Sequence, residues 1–241
     1  AVDLVKNVAE WAALDEIEGV RASRQALPEN TSDKPYLDLA SGTNMAYFMN
    51  SLSERGEYLF VDRSLYVKTF LDRVAELTGR KKVKVLKEDI LKLDFAAGSL
   101  GTVRVKNLLL YVDVPGDYWD KVGSWISEGG KLIVQADPTP DGRKKCADML
   151  KVIYEKLAVK EGWSLDFSLG EKKIKSIDST LDTITFTKPA PGGKAIQKVS
   201  LEEYLAASGV VPARIVTPVQ AEETIAAKPA VVIPAATGPV S

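Results

Sequence analysis

The chain has 241 residues, 45% of them hydrophobic, enough for one large α/β domain or a medium domain with an appendage. Its 32 basic and 33 acidic residues balance, which argues against a general nucleic-acid binder. There is no histidine and one cysteine, Cys146, so Ser-His-Asp and Cys-His nucleophiles, histidine-ligated zinc, cysteine metal cages and an internal disulfide are all excluded.

In chain order, apolar residues recur at helical spacing over residues 3–26, and a polar loop follows over 27–35. A short apolar run from Tyr36 to Ala40 reads as the first strand, broken by Ser41-Gly42-Thr43 and followed by a helix from Asn44 to about Arg55. The same alternation then repeats. Tyr58–Val61 is a strand ending at Asp62, and Leu65–Leu77 is a helix closing at Gly79. Val83–Leu86 is a strand ending near Asp89, and Thr102–Val105 is the fourth strand. Residues 117–127 form a helix stopped by Gly129-Gly130, Lys131–Gln135 is the fifth strand, and 141–160 is a long amphipathic helix. Strands alternating with helices imply a parallel sheet with right-handed crossovers. Trp163–Leu169 and Leu181–Thr187 have no room for a crossover helix between them, so they predict an antiparallel pair at one edge.

Residues 189–241 change character. They hold seven of the twelve prolines and one aromatic, Tyr204. A short helix is expected near 201–208, with Ser200 capping it and Glu203 three residues on. The remainder is rich in Ala, Pro and Val and reads as a tail, available to contact a protein partner.

Ligands of open α/β sheets bind outside the carboxyl ends of the strands, at the topological switch point. The first strand ends in Asp38-Leu-Ala-Ser-Gly-Thr-Asn44, where Gly42 lets the backbone approach a ligand. The plain alternative is an ordinary strand-to-helix turn. Asp62 ends the second strand, where a carboxylate can accept two ribose hydroxyls; it or Ser64 could equally cap the next helix. Asp89 and Ile90 follow the third strand, an acid for an exocyclic amine and an apolar group for a ring face; a surface acid is the alternative.

Over roughly residues 36–188 these segments resemble class I S-adenosylmethionine (SAM)-dependent methyltransferases. YLDLASGTNMAYFMNSL is similar to that family's first motif, EYLFVDRS to its second, VLKEDILKLDF to its third, and WISEGGKLIVQADP to its helix, glycine turn and fifth strand. The resemblance implies a Rossmann-like, doubly wound, mostly parallel seven-stranded sheet with a C-terminal antiparallel hairpin and a Pro/Ala-rich tail. Residues 1–35 would cover the cleft. SAM would be the cofactor, held by Asp38, Ala40, Ser41, Gly42, Asn44, Asp62, Arg63, Asp89 and Ile90. The resemblance departs at two places: glycine is usual where Ala40 and Asn44 stand, and an acid is common near the start of the fourth strand, where Ser99-Leu100-Gly101 stands.

SAM carries an activated methyl group, so positioning should dominate over nucleophile chemistry. Lys106, Asn107 and Tyr111, after the fourth strand, are the candidate catalytic residues; solvated strand-end residues are the bland reading. Asp113 and Asp137 are further polar groups near strand ends, and Cys146 reads as a small core residue. The expected function is methyl transfer to a small-molecule acceptor. The alternative is a methyltransferase-like module kept for binding or assembly. A cytoplasmic location is expected from the lone cysteine. No apolar run reaches the length of a membrane span, so none is expected.

Overall fold

The structure, a computed structural model, describes residues 33–42, 52, 56–106, 114–171, 181–192 and 199–210. The helices expected over 3–26 and 44–55 lie outside these residues. So do Asn44, Asn107, Tyr111, Asp113 and the chain beyond 210.

Seven strands form one sheet: β1 (Tyr36–Leu39), β2 (Tyr58–Asp62), β3 (Val83–Lys87), β4 (Leu100–Lys106), β5 (Ile126–Ala136), β6 (Ser164–Ser168) and β7 (Asp182–Thr187). Their order is β3-β2-β1-β4-β5-β7-β6. The first five are parallel, while β7 runs antiparallel to both β5 and β6. The expected hairpin is therefore present, with its second strand inserted next to β5.

Three described α-helices flank the first five strands and β6: α1 (Leu65–Leu77), α2 (Tyr118–Trp125) and α3 (Pro140–Ile153). Ser64 caps α1, and the helix buries Val67, Phe70, Leu71, Val74 and Ala75, a stripe at helical spacing. It ends at Thr78 and at Gly79, whose φ of +68° glycine adopts without steric cost. Thr139 caps α3, whose first residue, Pro140, lacks an N–H that would otherwise need a partner.

Alternate residues of each strand face opposite sides. On one side Leu37, Leu39, Val103, Val105, Leu132, Val134, Ile184 and Phe186 join Trp119, Trp125, Leu150 and Trp163 in the main core. On the other side Tyr36, Tyr58 and Phe60 pack under α1. A fourth helix, α4 (Leu201–Ala207), carries the expected capping box of Ser200 and Glu203. Its Leu201, Tyr204 and Leu205 are buried in the main core.

Three boundaries differ from the sequence expectation. The pair Gly129-Gly130 lies inside β5, not at a helix stop, because α2 ends directly at Ile126 in extended backbone. Pairing jumps from Leu100–Ile126 to Thr102–Lys131, so β5 bulges there. A Cβ on Gly130 would stand 2.7 Å from the Gly101 carbonyl oxygen, so glycine is what admits the bulge. The helix expected over 141–160 is α-helical only to Ile153 and continues as a π-helix over Tyr154–Lys160. Trp163 precedes β6; its ring is buried, its backbone N–H donates to the Leu157 carbonyl, and its indole N–H donates to Glu161 Oε2.

Candidate functional site

The chain runs from β1 outward to β3, then returns to place β4 on the other side of β1. The crevice between the carboxyl ends of β1 and β4 is therefore the switch point of the sheet. The loop after β1 lies there.

Ser41 ties this loop to its neighbours. Its N–H donates to the Val61 carbonyl at 3.0 Å, and its hydroxyl to the carbonyls of Asp38 and Val61 at 3.1 and 3.2 Å. Gly42, at φ +60°, donates its N–H to Asp62 Oδ2 at 3.1 Å. Asp62 Oδ1 accepts from the Ser64 N–H at 2.9 Å. A carboxylate offers about four acceptor positions, so Asp62 keeps roughly two for a ligand. Asp62 thus steadies the start of α1 and stays half-buried. A Cβ built on Gly42 would meet no described residue within 4 Å, so among the described residues the loop borders open space.

Ala40 has φ +55°, the only non-glycine in the left-handed region among the described residues. The turn demands that conformation, and glycine would adopt it without steric cost.

Asp38 behaves differently from a loop ligand. It is fully buried on the same face of β1 as Tyr36, and Oδ2 accepts from Arg104 Nη1 at 2.5 Å. Arg104 is its direct neighbour in the β1–β4 register and is 2% exposed. Arg104 Nε donates to Gln135 Oε1 at 2.8 Å, and Gln135 Nε2 donates to Thr183 Oγ1 at 3.1 Å. This polar chain spans β1, β4, β5 and β7. Asp38 Oδ1 has no hydrogen-bond partner among the described residues. Burial pushes the Asp38 carboxyl up, opposed by the Arg104 guanidinium.

Lys106, at the end of β4, points to the same side as Arg104 and pairs with Gln135. One step beyond the last β1–β4 pair, Leu39–Val105, it stands level with Ala40. Burial, and then the Arg104 charge, push its ammonium pKa down.

At the next strand end, Asp89 is exposed and caps the short 3₁₀ turn Ile90–Lys92, accepting from the Leu91 N–H at 3.0 Å. The Glu88 N–H donates to the Asp62 carbonyl at 3.1 Å, which links the ends of β2 and β3. Ile90 is buried in the main core, and its carbonyl accepts from the Tyr118 hydroxyl at 3.0 Å. Leu91 beside it is 39% exposed. Arg63 is exposed. Ser41, Gly42 and Asp62 are thus in one cluster, with Asp89 linked to it through backbone. Cys146 is buried in the core, and burial pushes its thiol up to about 11.

No protein-family model matches the sequence, and no curated protein matches it. Solved structures do resemble the chain. A SAM-dependent methyltransferase from Aquifex aeolicus is 12% identical over 67% of this chain and 84% of its own, with a TM-score of 0.48. The N-methyltransferase NodS from Bradyrhizobium japonicum is 12% identical over 65% and 86%, TM-score 0.49. A tRNA methyltransferase from Aquifex aeolicus is 16% identical over 66% and 63%, TM-score 0.48. The strand order and the inserted antiparallel β7 establish the Rossmann-like α/β fold without them.

Arg104, Gln135 and Thr183 belong to no motif in the sequence, and neither do Arg143, Asp182 and Tyr204, which are joined by hydrogen bonds. A polar residue at every second position of TVRVK and DTITFT is the available signal, but alternation reads as solvent exposure unless something covers that face.

Proposed function

We propose that the chain transfers a methyl group from SAM to a small-molecule acceptor. The observation that carries this reading is the clamp at the switch point: Gly42 N–H on Asp62, open space before Gly42, and acceptor capacity left on the Asp62 carboxylate. The residues fit the cofactor's chemistry. Asp62 suits a ribose, the orphaned Asp38 Oδ1 suits a cation or a bridging water, and Asp89 with Leu91 suits an amine-bearing ring. When bound, SAM supplies a methyl group already activated on a sulfonium. The chain's residues would then bind, orient and exclude water.

In this reading residues 36–188 form the cofactor-binding unit, 1–35 cover its cleft, and 189–241 hold α4 and a tail available to a protein partner. Asn44 joins the cofactor loop, and Asn107 and Tyr111 join Lys106 around the acceptor. The balanced charge favours a small molecule over nucleic acid, and the single cysteine favours the cytoplasm. Among the described residues no helix is long and apolar enough to cross a membrane.

The test is calorimetric titration with S-adenosylhomocysteine (SAH) and SAM. Binding is expected with wild type. Asp62→Ala should weaken it by about ten- to a hundredfold, the worth of hydrogen bonds to a charged acceptor. Asp62→Asn, which keeps one acceptor oxygen, should fall between. The absence of heat and of any thermal shift with either ligand at millimolar concentration would overturn the reading.

A second reading, a methyltransferase-like binding or assembly module, draws on the left-handed Ala40 and on Gly101, where an acid is common. Methyl transfer to any acceptor would eliminate it.

A further inference from the structure

Lys106 occupies an unusual position. Its backbone lies at the carboxyl end of β4, level with Ala40, on the rim of the β1–β4 crevice. Its side chain is half-buried, yet among the described residues it makes no hydrogen bond and no ion pair. The described acids nearby are already committed. Asp38 is bonded to Arg104, and Asp62 holds the Gly42 and Ser64 amides. Asp182 is bonded to Arg143. Arg104 and Asp38 pair with each other, so among the described residues the Lys106 ammonium is left without an ion pair of its own. A partly desolvated ammonium without a counter-ion is unfavourable and is relieved by an anion.

We propose that the acceptor is anionic, a carboxylate or comparable oxyanion, and that Lys106 is the residue that selects it. The inference rests on the methyl-transfer reading and names its acceptor class. The charges agree with that chemistry. SAM brings a sulfonium, a second cationic group beside Lys106, and a neutral acceptor would pair with neither. With an anionic oxygen as nucleophile, its lone pair forms the new O–C bond and the C–S pair returns to sulfur. Anion and sulfonium become two neutral groups, a change that a water-poor cleft favours. Where the anion lies elsewhere on the acceptor, Lys106 fixes its orientation by the same contact.

The experiment is a titration of the full chain, saturated with SAH, against matched pairs of small carboxylates and their carboxamides, aromatic and aliphatic. The proteins are wild type, Lys106→Arg and Lys106→Gln. Carboxylates should bind wild type about tenfold tighter than their amides, with the preference shrinking as salt rises. Lys106→Arg should keep the preference and Lys106→Gln should abolish it. Equal affinity within every pair, no binding of any member, or a preference that survives in Lys106→Gln would overturn the proposal. SAH affinity, measured first, separates the two failures. If SAH does not bind, the cofactor reading falls; if it binds without an anion preference, only the acceptor class falls.

Discussion

Two buried arginine–carboxylate pairs stand on this sheet, and they are finished differently. Asp182, the first residue of β7, has both oxygens saturated. Oδ1 accepts from the Gly170 N–H at 2.6 Å and Arg143 Nη2 at 3.0 Å; Oδ2 accepts from Arg143 Nε at 2.8 Å and the Tyr204 hydroxyl at 3.0 Å. Arg143 also donates to the carbonyls of Gly170 and Ser208. This one carboxylate thus ties α3, the end of β6, β7 and α4 together. Asp38, equally buried, has one oxygen on Arg104 and the other on nothing. A saturated pair is a structural clamp. A pair left one donor short, at the switch point of the sheet, is where an outside donor is expected.

The largest effect should come from breaking the saturated pair. Asp182→Ala strands the Arg143 guanidinium, the Tyr204 hydroxyl and the Gly170 N–H together, and should destabilise by about 3–5 kcal/mol in urea unfolding. Tyr204→Phe removes one of those bonds and should lose only about 1 kcal/mol. If the two variants cost the same, the clamp is not centred on Asp182.

The open pair should respond less at low pH than at neutral pH. Arg104→Met leaves Asp38 buried without its counter-ion and should cost about 3 kcal/mol at pH 7. Burial already pushes the Asp38 carboxyl up, and losing Arg104 pushes it higher. A group whose folded pKa lies above its unfolded value of about 3.9 favours folding below that value, and loses the advantage as pH rises. The defect of Arg104→Met should therefore shrink near pH 4. The double variant Asp38→Leu with Arg104→Met should regain most of the loss at pH 7, since apolar replacement of an isolated buried pair is often neutral. The same double variant at Asp182 and Arg143 should not recover, because Tyr204, Gly170 and Ser208 would stay unpaired. Equal recovery at both sites would erase the contrast.

How legible was this in the sequence? The alternation of strands and helices fixed on Tyr36, Tyr58, Val83 and the hairpin runs corresponds to the sheet closely, because each run carries its own period and its own turn residues. The start of β5 was not legible. Gly129-Gly130 reads as a stop signal, and only the facing Gly101 carbonyl, distant in sequence, makes it a bulge. Among site residues, Ser41, Gly42 and Asp62 are local to strand ends and could be named from motif spacing. Arg104 could not, because its partner lies 66 residues away and its burial depends on tertiary covering. Asp38 is legible as a strand-end acid, but its engagement by Arg104 is not, for the same reason.

The smallest expected effect tests the loop itself. Ala40 holds φ +55°, where a Cβ crowds the following carbonyl and costs roughly 1–2 kcal/mol. Ala40→Gly relieves that strain but frees the unfolded chain, which returns about 0.4–1 kcal/mol to the unfolded side. The strain term is the larger, so the variant should be more stable by roughly 0.5 kcal/mol, read as a small rise in urea midpoint at constant slope. Ala40→Val should move the other way and further, since a β-branched residue tolerates positive φ worst. A destabilised Ala40→Gly would mean that the Ala40 methyl group makes favourable contacts worth more than the strain, and the loop would then be shaped for packing rather than for a ligand.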